Sequence, residues 1–106
     1  MYKALLLDLD GTTIDEREIL SLAVKRAIRR VSTKLMVSFA SSRDYLMVNK
    51  FANEAELSSL QISEGGARIF RPLNKEVVWF RALDLKDMKN IVEILTALNI
   101  DFMAVD

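Results

Sequence analysis

Residues 2–9 (YKALLLDL) are apolar almost without a break and end on Asp10-Gly11-Thr12, a turn signal. A short continuous apolar run of this kind marks a strand buried on both faces of a parallel sheet. Over residues 16–31 the period changes. Ile19, Leu20, Ala23, Val24, Ala27, Ile28 and Val31 recur at helical spacing, with Lys25, Arg26, Arg29 and Arg30 on the opposite face. Residues 34–40 (KLMVSFA) give a second buried strand. Ser42 or Asp44 then caps a second helix over residues 45–55, and residues 60–63 give a third short strand before Gly65-Gly66 forces a turn. The order β-α-β-α-β predicts a right-handed parallel α/β sheet.

Beyond residue 66 the texture changes. Residues 67–71 and 76–81 flank a four-residue loop and predict a β-hairpin. Residues 84–98 carry Leu85, Met88, Ile91, Val92, Leu95 and Leu98 on one helical face, with Asp84 as the N-cap and Asp87 in the first turn. Residues 100–105 predict a further strand. The reading is thus a partial parallel sheet of three strands over residues 1–66, Rossmann-like in its alternation, followed over residues 67–106 by the beginning of a second, α+β unit.

Composition narrows the chemistry. Fifteen basic and fifteen acidic residues cancel, which argues against a nucleic-acid or anionic-membrane surface. There is no cysteine and no histidine, so disulfides, thiolate metal sites and imidazole bases are excluded, and any metal must be held by oxygen, which points to magnesium-like ions. No apolar run approaches the ~20 residues of a membrane span. The N-terminus enters a strand pattern at once, unlike a signal peptide. A soluble, cytoplasmic protein is the expectation. Met36, Met47, Met88 and Met103 read as core filler, and Trp79 as a packed aromatic of the hairpin or the lining of a pocket.

In an open parallel sheet, ligands bind at the carboxyl ends of the strands. Three such ends carry polar residues: Asp8-Leu9-Asp10-Gly11-Thr12, Ser41-Ser42-Arg43 and Ser63-Glu64-Gly65-Gly66. Aspartates at i and i+2 leave a strand on the same side, so one can attack phosphorus or hold a metal while the other handles a proton. Gly11 permits a tight turn that brings N–H groups to an anion, and Thr12 can hydrogen-bond within it. Ser41 offers a hydroxyl and Arg43 a planar fork of donors to a phosphoryl group. Each feature alone also occurs in plain turns and on solvated surfaces.

Together they resemble a known family. Residues 5–15 (LLLDLDGTTID) resemble the first motif of haloacid dehalogenase (HAD) phosphatases, and residues 37–43 (VSFASSR) resemble the second. Ala40-Ser41-Ser42-Arg43 is similar to the Ala-Thr-Gly-Arg of the Cof-like branch, and residues 62–70 (ISEGGARIF) to its Ser-Glu-Asn-Gly-Ala stretch between core and cap. Gly65 stands where that branch usually has Asn, and Ser42 where it has Gly. The resemblance implies a HAD core followed by the start of a cap. It implies hydrolysis of small phosphorylated metabolites, with Asp8 as nucleophile and Asp10 as general acid/base. Mg²⁺ would sit on the Asp8 carboxylate and the Asp10 main-chain carbonyl. Gly11, Thr12, Ser41, Ser42, Arg43, Gly65 and Gly66 would face phosphate or substrate.

The family's third-motif lysine and fourth-motif acidic pair have no counterpart in these residues. Lys86 and Lys89 lie on the expected second-unit helix, and Asp101 and Asp106 do not form the Gly-Asp-x-x-Asp pattern. The expectation is an N-terminal portion of such an enzyme, a truncated or split product, with little activity alone. The alternative is a non-catalytic binding or assembly module that pairs with a separate chain carrying the missing motifs. Either way the strand of residues 2–7, from Tyr2 to Leu7, is expected to be an exposed apolar edge open to self-association or to a complementing chain.

Overall fold

The computed structural model of the chain describes residues 1–105. Its first ladder pairs β1 (Ala4–Leu7) in parallel with β2 (Met36–Phe39), Leu5 opposite Val37 and Leu7 opposite Phe39. A parallel pair needs a crossover, and α1 (Leu22–Ser32) supplies it. After β2 the chain caps α2 (Tyr45–Glu54) with Asp44, whose carboxylate accepts the N–H groups of Leu46 and Met47. It returns through β3 (Gln61–Ser63), then turns antiparallel into β4 (Arg68–Phe70) and β5 (Val77–Phe80), and continues into α3 (Leu85–Ala97). The fold is the mixed α/β class that the hydrophobic pattern predicts. Leu9, Val37, Phe39, Val48, Phe51 and Phe70 are the centre of its core, with Ile28 reaching in from α1. No helix among the described residues is long and apolar enough to cross a membrane.

The third strand differs from expectation. It does not extend a parallel ladder along β2 but meets it at one bridge, Ala40 to Ile62, with the Ser41 N–H donating to the Ile62 carbonyl at 3.1 Å. Side chains stand in for the missing rungs. Gln61 is fully buried; its Oε1 accepts the Phe39 N–H at 2.7 Å, and its Nε2 donates to the Ser59 carbonyl at 2.8 Å. The Ser59 hydroxyl in turn donates to the Val37 carbonyl. Buried main-chain groups of β2 are thereby satisfied without a neighbouring backbone. β3 instead gives its ladder to β4, so the hairpin of β4 and β5 grows directly from the third strand. The hairpin has the expected four-residue loop, closed by the Arg71 N–H on the Glu76 carbonyl at 2.9 Å.

Three further expectations change. The first helix starts at Leu22, not at residue 16, because Glu18 has φ 61°, which no α-helix accommodates, and because Ser21 accepts the Val24 N–H as N-cap. Leu20 still reaches the core from outside the helix. Residues 100–105 form no strand, since they pair with no strand among the described residues. Asp106 lies outside the described residues. Of the methionines read as core filler, only Met47 packs against the core, while Met36, Met88 and Met103 are exposed. α3, capped by Asp84 as expected, buries no residue; Met88, Ile91 and Leu95 face Trp79, Phe80 and Phe102 across an open groove of about 890 Å³.

The buried amide of Gln61 yields a test. Gln61→Leu keeps the volume and removes both bonds, leaving the Phe39 N–H unpaired in the core. The chain is expected to lose about 2–4 kcal/mol of stability, read from urea unfolding. An unchanged midpoint would show that the β2 edge finds other partners.

Candidate active site

Leu9 organises the end of β1. Its side chain is fully buried, and its carbonyl collects the N–H groups of Thr12, Thr13 and Ile14 at 3.2, 3.0 and 3.0 Å. The chain therefore folds back on itself, and Gly11 supplies the left-handed residue the turn needs, at φ 71°. With Leu9 pointing inward, the residues on either side of it point outward. Asp8 and Asp10 are both exposed. Asp8 uses one carboxylate oxygen to accept the Leu9 N–H at 2.9 Å, and its other oxygen bonds none of the described residues. Thr12 is exposed and gives only its N–H to the loop. The hydroxyl that ties the loop belongs to Thr13, which is buried and donates to the Asp8 carbonyl at 2.7 Å.

The end of β2 lies alongside. Ser41 is buried, and its hydroxyl oxygen accepts the Arg43 N–H at 3.1 Å, which leaves the hydroxyl proton to donate elsewhere. Its carbonyl accepts the Gly65 N–H at 3.1 Å, and the Arg43 carbonyl accepts the Glu64 N–H at 2.8 Å. The second and third strand ends are thus bolted together. Ser41, Ser42, Gly65 and Gly66 line a small cavity of about 340 Å³, whereas Asp10, Gly11, Thr12 and Arg43 line an open cleft of about 710 Å³ with residues 13–19. Asp8 lines neither, standing at the strand end beside the cleft. Gly65 and Gly66 sit at φ 63° and 100°, a sharp turn in a backbone region that favours glycine.

Arg43 is the electrostatic centre. Its Nε and Nη2 fork the Asp10 carboxylate at 2.8 and 2.6 Å, and Nη2 also reaches Glu18 at 2.7 Å. The guanidinium holds both carboxyls below their ordinary range, chiefly through these hydrogen bonds, and its own pKa rises for the same reason. Asp15 is lowered as well, first by the Ile19 N–H and then by Arg17.

Three residues to which the sequence assigned no role shape this site. Asp15 fixes the turn over residues 15–19 by accepting the N–H groups of Arg17 and Ile19 at 2.9 and 3.0 Å. That turn delivers Glu18 to Arg43. Glu64 accepts the Tyr45 N–H at the start of α2 at 3.0 Å and pairs with the buried Arg68 at 3.5 Å, which lies over the Tyr45 ring. Nothing local in the sequence marks Glu18. Glu64 is visible only as an acid at a strand end. Among the described residues no group of three or more acidic side chains stands together to hold a metal. The Asp8 carboxylate and Asp10 carbonyl offer part of an oxygen shell, and the residues present do not by themselves fit a magnesium ion.

A model of the haloacid dehalogenase-like hydrolase family matches residues 5–106. The fold is similar to that of a haloacid dehalogenase-like hydrolase from Bacteroides thetaiotaomicron, with 23% identity over 93% of this chain and 39% of that one at a TM-score of 0.81. It is equally similar to such a hydrolase from B. subtilis, at 24% identity over 92% and 34% and a TM-score of 0.81. A third likeness is to a protein of Bacteroides thetaiotaomicron described among phosphatases of the HAD superfamily, at 22% identity over 93% and 37% and a TM-score of 0.74. The chain spans between 34% and 39% of the length of these three structures. No curated protein sequence matches it.

The Arg43 cluster predicts a pH response. A carboxylate with a lowered folded pKa stabilises the fold above its unfolded pKa, near 4, and loses that contribution as pH falls through the lower folded value. In ¹³C-detected titrations, Asp10 and Glu18 are expected to protonate at lower pH than unfolded-chain carboxyls. In Arg43→Gln both midpoints are expected to rise toward ~4. Midpoints insensitive to this substitution would mean that Arg43 does not hold them in solution.

Proposed function

Because the chain belongs to the haloacid dehalogenase-like hydrolase family, we propose that it carries the first half of a phosphatase site, which hydrolyses small phosphorylated metabolites through an aspartyl-phosphate. One observation carries the reading. The buried Leu9 sets Asp8 and Asp10 out on the wet side of one strand end, next to the strand end that presents the Ser41 hydroxyl and Arg43. A likeness to a protein described among HAD phosphatases supports it.

In this reading the free oxygen of Asp8 attacks phosphorus, and the bond to the leaving oxygen breaks. Asp10 delivers a proton to that oxygen and then takes one from the water that cleaves the acyl phosphate. The Ser41 hydroxyl donates to a phosphoryl oxygen. Phosphoryl transfer asks mainly for positioning and charge neutralisation, so the absence of histidine is no obstacle. Mg²⁺ is the cofactor the reading implies, and it needs oxygens beyond those present here, as the reaction needs a further cation.

The test is phosphoryl transfer from acetyl phosphate or p-nitrophenyl phosphate with magnesium. The 106-residue chain alone is expected to show negligible turnover. A longer chain or an added polypeptide that supplies the lysine and acidic pair is expected to show activity, and Asp8→Asn to return it to background. Full activity in that Asp8→Asn variant would refute the nucleophile assignment.

A second reading, an assembly module, is favoured by β1. The Met36 and Ala40 N–H groups donate to the Lys3 and Leu7 carbonyls, which turns odd-numbered main-chain groups of β1 toward β2. Those of Ala4 and Leu6 face away, with no strand beside them among the described residues, and the Leu6 side chain is exposed. Such an edge recruits another strand, from a second copy or a complementing chain. Sedimentation is expected to show association rising with concentration, and the Ala4 and Leu6 amides to exchange more slowly as it does. A monomer at high concentration with both amides exchanging fast would end this reading.

A further inference from the structure

Nothing in the phosphoryl-transfer reading assigns a task to Glu18, yet the structure spends several contacts on placing it. Its backbone is left-handed, at φ 61°, a conformation a side-chain-bearing residue adopts at a cost. It is kept there by a closed set of bonds. The Glu18 N–H donates to the Asp15 carbonyl at 2.9 Å, the Asp15 N–H donates to the Ile19 carbonyl at 3.1 Å, and the Asp15 carboxylate accepts the Arg17 and Ile19 N–H groups. The outcome is a Glu18 carboxylate 2.7 Å from Arg43 Nη2.

Arg43 shows what that contact achieves. Its side chain is only 20% exposed, while its two acid partners, Asp10 and Glu18, are 54% and 51% exposed. The guanidinium is thus the fixed member and the acids are arranged around it. A fork on both oxygens of Asp10 requires the guanidinium and carboxylate planes to coincide. A long arginine side chain has many rotamers in which they do not. Asp10 takes the Nε–H and one Nη2 hydrogen, and Glu18 takes the remaining Nη2 direction. Two acceptors on adjacent edges leave the guanidinium plane one orientation. Nη1 bonds none of the described residues, and Arg43 is part of the cleft lining. Besides Arg43, Glu18 feels the like charge of Asp10, which raises its pKa, and the charge of Lys50, which lowers it.

We propose that Glu18 is a positioning residue for Asp10: by holding Arg43 Nη2 from the adjacent edge, it fixes the plane in which the guanidinium engages both Asp10 oxygens. The inference rests on the reading of Asp10 as the acid/base of phosphoryl transfer.

The test is side-chain NMR of the 106-residue chain at constant neutral pH, comparing wild type, Glu18→Ala and Glu18→Gln. The Arg43 Nε–H exchange rate reports the fork, the Asp10 ¹³Cγ shift reports the carboxylate, and the Ile28 amide reports the fold. Glu18→Ala is expected to raise Nε–H exchange about tenfold and to move the Asp10 shift. Glu18→Gln keeps an acceptor oxygen and is expected to restore most of both. Should Glu18→Ala unfold the chain, Glu18→Gln carries the test alone, with a rise of about threefold expected. The proposal is overturned if Nε–H exchange stays at the wild-type rate in the folded variants. It is equally overturned if Arg43 loosens and the Asp10 shift does not move, because Glu18 would then serve Arg43 alone. These signals do not depend on turnover. Failure of the phosphatase reading shows separately, as activity that survives Asp8→Asn.

Discussion

The burial of one leucine between two aspartates is the constraint on which the site rests. Leu9 is fully enclosed, and its carbonyl accepts three successive N–H groups. Pulling that residue inward obliges Asp8 and Asp10 to emerge on the solvent side, and the three bonds prevent the chain from continuing as a strand. The turn needs one left-handed residue, which Gly11 provides, and one buried hydroxyl, which Thr13 provides through the Asp8 carbonyl. The chemistry at the strand end is therefore a by-product of hydrophobic burial. An apolar side chain sets the geometry, and the acids take the positions left to them.

A second device brings the other loops to that strand end. β3 has no ladder with β2 beyond a single bridge, so the usual backbone cement is missing. Gln61 and Ser59 replace it with side-chain bonds to Phe39 and Val37 inside the core. Those bonds hold β3 high enough for Glu64 and Gly65 to donate their N–H groups to the Arg43 and Ser41 carbonyls. The loop after β2 is then fixed at both ends, by Asp44 at the cap of α2 and by the turn after β3. Glu64 adds a third tie through the Tyr45 N–H and Arg68, linking the hairpin to the start of α2.

Sharing one cation between two acids explains the electrostatics of the cleft. Asp10 and Glu18 come from different turns and would repel each other unaided. Arg43, largely shielded by its surroundings, satisfies both with directional bonds, which are worth more than an exposed ion pair of equal length. Asp8 has no such partner among the described residues, and one of its oxygens bonds none of them. The two acids flanking Leu9 thus have different environments, one clamped and one open.

How much of this could be read in advance depends on the range of the forces involved. Apolar runs, helical periodicity and the caps at Asp44 and Asp84 are local properties, so the α/β class, the hairpin and the order of elements were legible from residue pattern alone. The candidate site residues Asp8, Asp10, Gly11, Ser41 and Arg43 stood out because they lie at the ends of apolar runs and form a motif. Other features depend on distant partners. The start of α1 moved because a left-handed Glu18 and the Ser21 cap outweighed an apolar period that ran on through Ile19 and Leu20. Residues 100–105 have strand-like composition but pair with no strand among the described residues, and a strand exists only as half of a pair. The partnership of Arg43 with Asp10 and Glu18 joins residues 33 and 25 positions apart, so only the folded chain could decide it.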